Sequence, residues 1–170
     1  MNFASFNTIE TKRLSLELLS EQDYEFISEL LNSRGWIKFI GNRNILTKAD
    51  AIAYIKKIKD NAHINYWKVK LKYEETPIGL ITLIKRSYLD YPDIGFAFLP
   101  NYFKCGYAFE AAGAVINYLS ETNFTDAVYA ETLPDNHISI QLILKLKLQF
   151  EREIIIENKK LWLYKSSFNK

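Results

Sequence analysis

The stretch DIGFAFLPNYFKCGYAFEAAGAVINY, residues Asp93 to Tyr118, decides the fold of this chain. Its apolar run Ile94–Leu99 predicts a strand that Pro100 ends, and a polar and aromatic loop, residues 101–106, leads directly into a helix. The first amides of a helix have no intrahelical acceptor, and the helix dipole places partial positive charge beside them. A strand, a tight loop and a helix start in this order therefore predict a phosphate-binding junction.

The composition indicates a single soluble domain. The chain has 170 residues, of which 48% are hydrophobic, so we expect one domain with one substantial core over residues 1–170. A net charge of +2 is too small for a typical nucleic-acid-binding protein, and the single cysteine favours a reducing compartment. We find no signal peptide and no run near the roughly 20 apolar residues of a membrane span. We therefore expect a cytoplasmic protein without nucleic-acid or membrane partners.

The segments around this junction alternate between strand and helix patterns. Ser20 and Thr47 are each followed three residues later by aspartate, which predicts a capping box and a helix start at each position. Helical spacing returns in the alanine-rich segment after Gly106 and again up to Leu146. Besides the central strand, strands are predicted over residues 14–18, 66–73, 78–85, 127–132, 152–157 and 161–165. The order β-α-α-β-β-β-α-β-α-β-β predicts an α/β fold with helices on the faces of a mixed sheet.

In this order and spacing, the segments resemble the GNAT superfamily of acyl-CoA-dependent N-acetyltransferases, and within it the branch of the ribosomal-protein-alanine N-acetyltransferases. The resemblance covers residues 8–165 and rests on DIGFAFLPNYFKCGYAFEAA and ETLPDNHISIQLILKLKLQFE, with the shorter fragments IETKRLSLELL, FIGNRNILTKADAIAYI and TPIGLITLIKR. It implies the GNAT fold, an α/β (α+β) architecture whose mixed, mostly antiparallel sheet of about seven strands is flanked by helices. It also implies acetyl-CoA as cosubstrate.

The resemblance further implies which residues bind acetyl-CoA. The family holds the CoA diphosphate on the amides of an Arg/Gln-x-x-Gly-x-Gly/Ala loop, which matches Phe103, Lys104, Cys105, Gly106, Tyr107 and Ala108. The family also parts its central strand from the neighbouring strand so that backbone groups pair with pantetheine, here at Phe98 and Leu99. Asn136 and Ser139 match the Asn-x-x-Ser that touches the pantetheine and the thioester.

The chain departs from the family pattern in three segments. Lys104 stands where the loop often has a glycine, which removes backbone freedom but places an ammonium near the expected phosphates. Ile143 stands where many members have the tyrosine that protonates the leaving thiolate. The usual Lys-Leu-Gly-Phe is Lys145-Leu146-Lys147-Leu148 here, which weakens expectations about the end of that helix.

Acetyl transfer from a thioester to an amine needs a base, a donor to the developing oxyanion and a departing thiolate. Asp93 is the first candidate for the base and Glu131 the second, although each could simply be a solvated strand residue. Ser139 is the available acid for the thiolate, unless it only bonds the first turn of its helix. The oxyanion donor is expected to be a backbone N–H near Phe98.

Other polar residues have simpler explanations. Gly106, taken alone, could merely begin a helix, and Glu110 in the first helical turn could merely offset the helix dipole. Cys105 has no histidine tied to it by any motif, so we expect no cysteine nucleophile, and no cluster has metal-ligand spacing, so we expect no metal. Residues available for an amine acceptor, which also suit loop packing, are Trp36, Arg43, Arg86, Tyr88 and Tyr91.

These observations predict an enzyme that transfers an acetyl group directly from acetyl-CoA to a primary amine, on a small molecule or a peptide, as a monomer or a homodimer. The missing tyrosine and the lysines at positions 104 and 147 leave open a non-catalytic acyl-CoA-binding module. A structural protein that has lost the cofactor is a third possibility. Binding of acetyl-CoA would exclude the structural protein. Release of free thiol in the presence of amines would then distinguish the enzyme from the non-catalytic binding module.

Overall fold

The computed structural model describes residues 6–168, which form one mixed eight-stranded sheet with helices on both faces. The strands are β1 (Ile9–Glu10), β2 (Leu14–Leu18), β3 (Ile64–Leu71), β4 (Pro77–Ile84), β5 (Asp93–Phe98), β6 (Ala127–Thr132), β7 (Gln149–Ile156) and β8 (Lys159–Ser167). The helices are α1 (Tyr24–Leu31), α2 (Arg34–Phe39), α3 (Lys48–Lys59), α4 (Tyr107–Glu121) and α5 (His137–Lys145). The strands lie in the order β1-β2-β3-β4-β5-β6-β8-β7, and only β5 and β6 are parallel neighbours within this sheet.

The predicted fold class is confirmed, with two additions. The short strand β1 pairs with β2, and the short helix α2 lies between the two predicted helices that begin after Ser20 and Thr47. The Ser33 hydroxyl accepts a hydrogen bond from the Trp36 N–H and caps α2, and Trp36 is only 4% exposed. A helix of six residues is too short for hydrophobic periodicity to reveal it.

Both predicted capping boxes are present. The Asp50 carboxylate accepts a hydrogen bond from the Thr47 N–H at 2.8 Å, and Thr47 Oγ1 accepts one from the Asp50 N–H at 3.2 Å. The Asp23 carboxylate accepts one from the Ser20 N–H at 2.8 Å. The chain then passes through one 3-10 turn, Glu21–Asp23, before α1 begins. The two boxes fix where α1 and α3 start on one face of the sheet.

Hydrophobic side chains fill both faces of the sheet. The helix α4 covers one face with four buried residues, Ala111, Ala112, Val115 and Leu119. The helices α1 and α3 cover the opposite face with Ile27, Leu30 and Ile55. Adjacent residues of β4 serve both cores, Ile81 on the α4 side and Leu80 on the other, which explains the continuous apolar run of this strand. None of the helices within residues 6–168 has the length and apolar character needed to cross a bilayer.

The sheet opens between its two parallel strands. β4 and β5 are paired at six positions, from Gly79–Phe98 to Ile84–Asp93, whereas β5 and β6 are paired only at Asp93 and Tyr129. Beyond this pair the two strands diverge, although β5 continues to Phe98 and β6 to Thr132. The backbone N–H and C=O groups on the edge of β5 that faces β6 are therefore available to pair with another extended molecule.

Candidate active site

The loop between β5 and α4 has the geometry expected of a phosphate site. Pro100–Tyr102 form one 3-10 turn, Phe103 is extended, and Lys104 and Gly106 both have left-handed backbone, with φ of 61° and 80°. Gly106 is the N-cap of α4, and its carbonyl accepts a hydrogen bond from the Glu110 N–H at 3.0 Å. The amides that follow Gly106 have no intrahelical acceptor and lie at the positive end of a 15-residue helix.

Lys104 adopts the conformation that a glycine would adopt without strain. A left-handed conformation costs a non-glycine residue about 1 kcal/mol, so the substitution keeps the shape of the loop at some cost in stability. Lys104 and Cys105 are both exposed on this loop. The Cys105 thiol donates only a weak hydrogen bond, to the Phe103 carbonyl at 3.4 Å.

The backbone of Phe98 faces the gap between β5 and β6. The Leu99 N–H donates to the Ile78 carbonyl on β4 at 2.9 Å, and the Leu99 carbonyl accepts from the Tyr102 N–H at 3.0 Å. Successive amides of a strand point to opposite edges, so the Phe98 N–H points away from β4 and toward the gap. Of the two residues predicted to pair with pantetheine, Phe98 directs its amide into the gap, and the amide of Leu99 is already bonded to β4.

Asn136 and Ser139 lie at the start of α5, immediately after β6. Asn136 is the N-cap of α5, and its Oδ1 accepts a hydrogen bond from the Ser139 N–H at 3.3 Å. Among residues 6–168, neither the Asn136 side-chain amide nor the Ser139 hydroxyl donates to a partner. Ile143, at the position of the family's tyrosine, is 1% exposed and packs in the core beneath α4. A thiolate acid at that position is therefore excluded, and the two polar groups of the first turn are available.

Asp93 and Glu131 form a carboxylate pair that one arginine joins. Arg86 Nη2 lies 2.9 Å from Asp93 Oδ2 and 2.9 Å from Glu131 Oε1, and Arg86 Nε donates to Asp93 Oδ2 at 3.1 Å. The Tyr88 hydroxyl donates to Glu131 Oε2 at 2.9 Å. Asp93 is 3% exposed. The structure thus brings the two candidate bases, Asp93 and Glu131, into contact with Arg86 and Tyr88, which were predicted for the acceptor site.

The surroundings of this pair raise the pKa of Asp93 and the pKa of Tyr88. Burial, together with the nearby Glu131 carboxylate, raises the pKa of Asp93 to about 6, although Arg86 opposes the shift. Burial and the hydrogen bond to Glu131 raise the pKa of Tyr88, so its hydroxyl stays a donor at neutral pH. Because one arginine faces two carboxylates, a proton or a second cation at this pair is electrostatically favoured.

Asp93 also explains why β5 and β6 separate. The Tyr129 N–H donates to the Pro92 carbonyl at 2.9 Å, as in a regular parallel ladder. The next donor of β6 on this edge, the Glu131 N–H, bonds to Asp93 Oδ1 at 3.2 Å instead of to the backbone of β5. The aspartate side chain therefore ends the pairing of the two strands and satisfies the donor that would otherwise continue it.

The five residues proposed for the acceptor site lie in three different surroundings. Trp36 is buried in the core beneath α1 and α3, and Tyr91 packs against a small hydrophobic cluster, so both follow the packing alternative. Arg86 and Tyr88 belong to the carboxylate pair described above. Burial raises the pKa of Tyr66 on β3, and the positive charge of Arg43 opposes this rise. Of these five residues, Arg86 and Tyr88 are the two that bond to the carboxylate pair.

Sequence analysis missed a contact between the first hairpin, which consists of β1, β2 and the turn between them, and the glycine loop of residues 101–106. The Glu110 carboxylate accepts hydrogen bonds from Thr11 Oγ1 at 2.6 Å, from Arg13 Nε at 2.7 Å and from the Arg13 N–H at 3.0 Å. Arg13 Nη1 donates to the Cys105 carbonyl at 3.1 Å, and the guanidinium lies 4.4 Å from the centre of the Tyr107 ring. No local motif indicates this contact, because about ninety residues of chain separate the hairpin from the loop.

A sequence model of the acetyltransferase (GNAT) domain matches residues 13–149 of the chain. The chain belongs to the GNAT acetyltransferase family. This GNAT enzyme is 31% identical over 144 residues to the uncharacterized N-acetyltransferase YnaD of Bacillus subtilis, with 84% of this chain and 83% of YnaD covered. The resemblance inferred from the glycine loop and its flanking segments is confirmed.

Solved structures share the fold of this GNAT chain. A GNAT-family acetyltransferase from Bacillus anthracis has a TM-score of 0.80 at 24% identity and covers 95% of this chain and 98% of its own. The ribosomal-protein-S5-alanine acetyltransferase from Vibrio fischeri has a TM-score of 0.77 at 16% identity and covers 95% of this chain and 97% of its own. At these identities the structures confirm the fold alone.

Family membership makes the chain an N-acetyltransferase with acetyl-CoA as its cosubstrate. The structure fits this cosubstrate at two places, the helix start after Gly106 for the diphosphate and the open edge of β5 for the pantetheine. Within residues 6–168, no three His, Cys, Asp or Glu side chains are close enough together to hold a metal ion. The roles of individual residues in catalysis and binding stay predictions.

Proposed function

We propose that this GNAT enzyme transfers the acetyl group of acetyl-CoA directly to the primary amine of a peptide or small molecule, with Asp93 as the general base. The observation that carries this proposal is the Arg86-bridged pair of Asp93 and Glu131 at the point where β5 and β6 part. There, a base with a raised pKa stands beside the gap that suits the thioester.

The proposed cosubstrate site runs from the glycine loop into this gap. The amides of residues 103–108 hold the diphosphate, the Phe98 backbone pairs with the pantetheine, and Asn136 and Ser139 contact it from α5. The support for this arrangement is the left-handed Gly106, the unpaired edge of β5 and the free polar groups of the first turn of α5. Leu99 follows Phe98 and contributes packing, because its amide is bonded to Ile78.

In the proposed reaction, the acceptor arrives as an ammonium and loses a proton to Asp93. The neutral nitrogen attacks the thioester carbonyl, and the Phe98 N–H donates to the oxygen on which negative charge develops. The carbon–sulfur bond then breaks, the second proton of the amine goes to solvent, and the thiolate leaves. Ser139 donates a hydrogen bond to this thiolate, which takes its final proton from water, since a thiol is acidic enough, with a pKa of about 8.5, to leave as an anion.

Asp93 suits the role of base better than Glu131. A base is most effective when its pKa lies near the working pH, and the pKa of Asp93 is raised to about 6. Both oxygens of Glu131 are bonded, one to Arg86 and one to the Tyr88 hydroxyl, and both oxygens of Asp93 are bonded as well, so the raised pKa of Asp93 is what distinguishes the two carboxylates. Because Asp93 is only 3% exposed, the proton reaches it through a water molecule. Glu131 then keeps the pKa of Asp93 high and attracts the cationic acceptor.

The decisive experiment is a measurement of free-thiol release from acetyl-CoA with a panel of amines. The panel contains peptides with free N-termini, including N-terminal alanine and serine, together with small primary amines. Turnover with at least one acceptor, lost when Asp93 is replaced by Asn, is the expected result. CoA binding without turnover for any acceptor would favour the non-catalytic acyl-CoA-binding module, and absence of CoA binding would contradict both.

A further inference from the structure

We propose that Arg13 is a positioning residue that directs the Gly106 amide toward the CoA diphosphate and neutralises Glu110 beside it. The inference rests on the function proposed above and names a residue of the first hairpin that assembles the diphosphate site. It is carried by the hydrogen bonds that Arg13 makes to Glu110 and to the Cys105 carbonyl.

The hydrogen bond to Cys105 sets the direction of the next amide. The Cys105 carbonyl and the Gly106 N–H belong to one planar trans peptide, in which the two groups point in opposite directions. Arg13 Nη1, at 3.1 Å, holds the carbonyl on the hairpin side, so the Gly106 N–H points to the opposite, open side of the loop. Without this bond, the peptide before a glycine has more conformations available to it and the amide is less well directed.

The ion pair with Glu110 removes an unfavourable charge. Glu110 lies in the first turn of α4, where its carboxylate would repel a bound diphosphate. Arg13 Nε lies 2.7 Å from its Oε2, and Thr11 Oγ1 donates to its Oε1 at 2.6 Å. These hydrogen bonds and the charge of Arg13 hold the pKa of Glu110 below its ordinary value, against the effect of partial burial, so the carboxylate stays ionised and paired.

Two further contacts hold the guanidinium in place although it is partly exposed. Its plane lies over the Tyr107 ring, with Cζ 4.4 Å from the ring centre. Its Nη2 lies 3.4 Å from the position that a Cβ of residue 106 would occupy, so Arg13 packs directly against Gly106. The guanidinium is thus a support behind the loop, on the side opposite to the proposed ligand.

The test compares CoA with pantetheine, which lacks the diphosphate. We expect R13A to weaken CoA binding roughly tenfold to a hundredfold, the usual effect of losing hydrogen bonds to charged groups, and to leave pantetheine binding unchanged. The KM for acetyl-CoA rises by the same factor while kcat changes little. R13K keeps the charge but cannot bond both Glu110 and Cys105 from one nitrogen in the same geometry, so it falls between R13A and wild type.

K72A is the matched control for loss of hairpin stability. Lys72 Nζ donates to the Thr11 carbonyl at 2.6 Å and pairs with Glu10 at 2.8 Å, so it supports the same hairpin without contacting the loop. K72A should lower the melting temperature and leave CoA affinity unchanged. The Arg13 proposal is overturned if R13A binds CoA as wild type does, or if it loses CoA and pantetheine equally. Failure of the wild-type chain to bind CoA would instead overturn the proposed function and this inference together.

Discussion

At the residue scale, Asp93 combines two tasks at the start of β5. Its Oδ1 accepts the Glu131 N–H and thereby ends the pairing of the parallel strands, and its Oδ2 is bonded to Arg86. Burial, with the neighbouring Glu131 carboxylate, raises the pKa of Asp93 to about 6. A single buried aspartate therefore ends the pairing of the two strands and, in the proposed reaction, accepts the proton of the amine.

This assignment predicts a specific pH dependence of activity. A base must be deprotonated, so kcat/KM should rise with pH through about 6, the pKa of Asp93. D93N should lose this limb and reduce kcat by roughly a hundredfold or more. E131Q should keep the limb but move it to lower pH, because removal of a neighbouring negative charge lowers the pKa of Asp93. A limb that survives in D93N and disappears in E131Q would make Glu131 the base.

Two lysines occupy left-handed positions where the family resemblance expects glycine. Lys104 has φ of 61° in the loop, and Lys147 has φ of 67° after α5. At Lys147 the end of the helix is a Schellman motif, since the Leu148 N–H donates to the Ile143 carbonyl at 3.2 Å and the Lys147 N–H to the Leu144 carbonyl at 2.9 Å. The loss of glycine therefore left the geometry of this helix end intact.

These lysines provide a matched pair of substitutions. K104G and K147G should each stabilise the protein by up to about 1 kcal/mol, because glycine adopts the left-handed conformation without strain. The gain is limited because glycine loses more backbone entropy on folding. Only K104G should weaken CoA binding, by a few-fold and more strongly at low salt, since only its ammonium lies at the proposed diphosphate site. Urea denaturation and titration calorimetry measure the two effects. Equal CoA affinities for the two variants would show that the Lys104 ammonium does not contact the phosphates.

At the element scale, the position of β5 depends on one close contact with β4. Gly79 lies opposite Phe98 in the antiparallel pair, and a Cβ on Gly79 would lie 2.4 Å from Cδ1 of the Phe98 ring. The ring fills the space that a side chain would occupy and is 7% exposed. Because the Phe98 N–H is the proposed oxyanion donor, this contact sets both the packing and the position of the donor.

Replacing Gly79 by Ala should therefore disturb stability and catalysis together. We expect G79A to destabilise the fold by about 1–3 kcal/mol, the typical cost of overpacking a core, and to lower kcat because the Phe98 backbone moves. G35A is the control, since nothing lies within 4 Å of a Cβ at this position of α2, and alanine there should stabilise by about 0.5–1 kcal/mol. Equilibrium denaturation with parallel activity measurements would contradict this account if G79A behaved like G35A.

At the scale of the whole molecule, the sheet consists of two parts that meet at a narrow connection. The strands β1 to β5 form one part and β6 to β8 the other, and one backbone pair joins them, reinforced by the cluster of Asp93, Arg86 and Glu131. A ligand that pairs with β5 and also contacts α5 beyond β6 would bridge the two parts. Its binding energy would then stabilise the whole domain.

We expect CoA to raise the melting temperature of the protein substantially. At 100 times the dissociation constant a ligand stabilises by about 2.7 kcal/mol, which for a chain of this size corresponds to a rise of about 5–10 °C. ATP is the control, because it carries phosphates and adenosine without pantetheine and cannot bridge the gap. Differential scanning fluorimetry measures both. A similar rise with ATP, or none with CoA, would contradict a site that extends into the gap.

The sequence alone determined the order of strands and helices and the strand–loop–helix junction, because each is expressed in a local pattern, and its resemblance to the GNAT superfamily indicated the fold family and the two candidate carboxylates. The strand–loop–helix order of residues 93–118, the capping boxes and the alternation of strands depend on neighbours a few residues apart, which a linear sequence displays. The same local logic placed Asp93 and Glu131 on strands next to the loop.

Only the tertiary structure decided how these parts act on one another. Nothing in the sequence shows that Arg86 joins Asp93 and Glu131, that Asp93 ends the pairing of β5 and β6, or that Arg13 supports the loop. These contacts depend on which strands become neighbours and on which side chains the surrounding core buries. Burial and long-range pairing set the pKa of Asp93 and the direction of the Gly106 amide, and both arise only when distant segments of the chain come together.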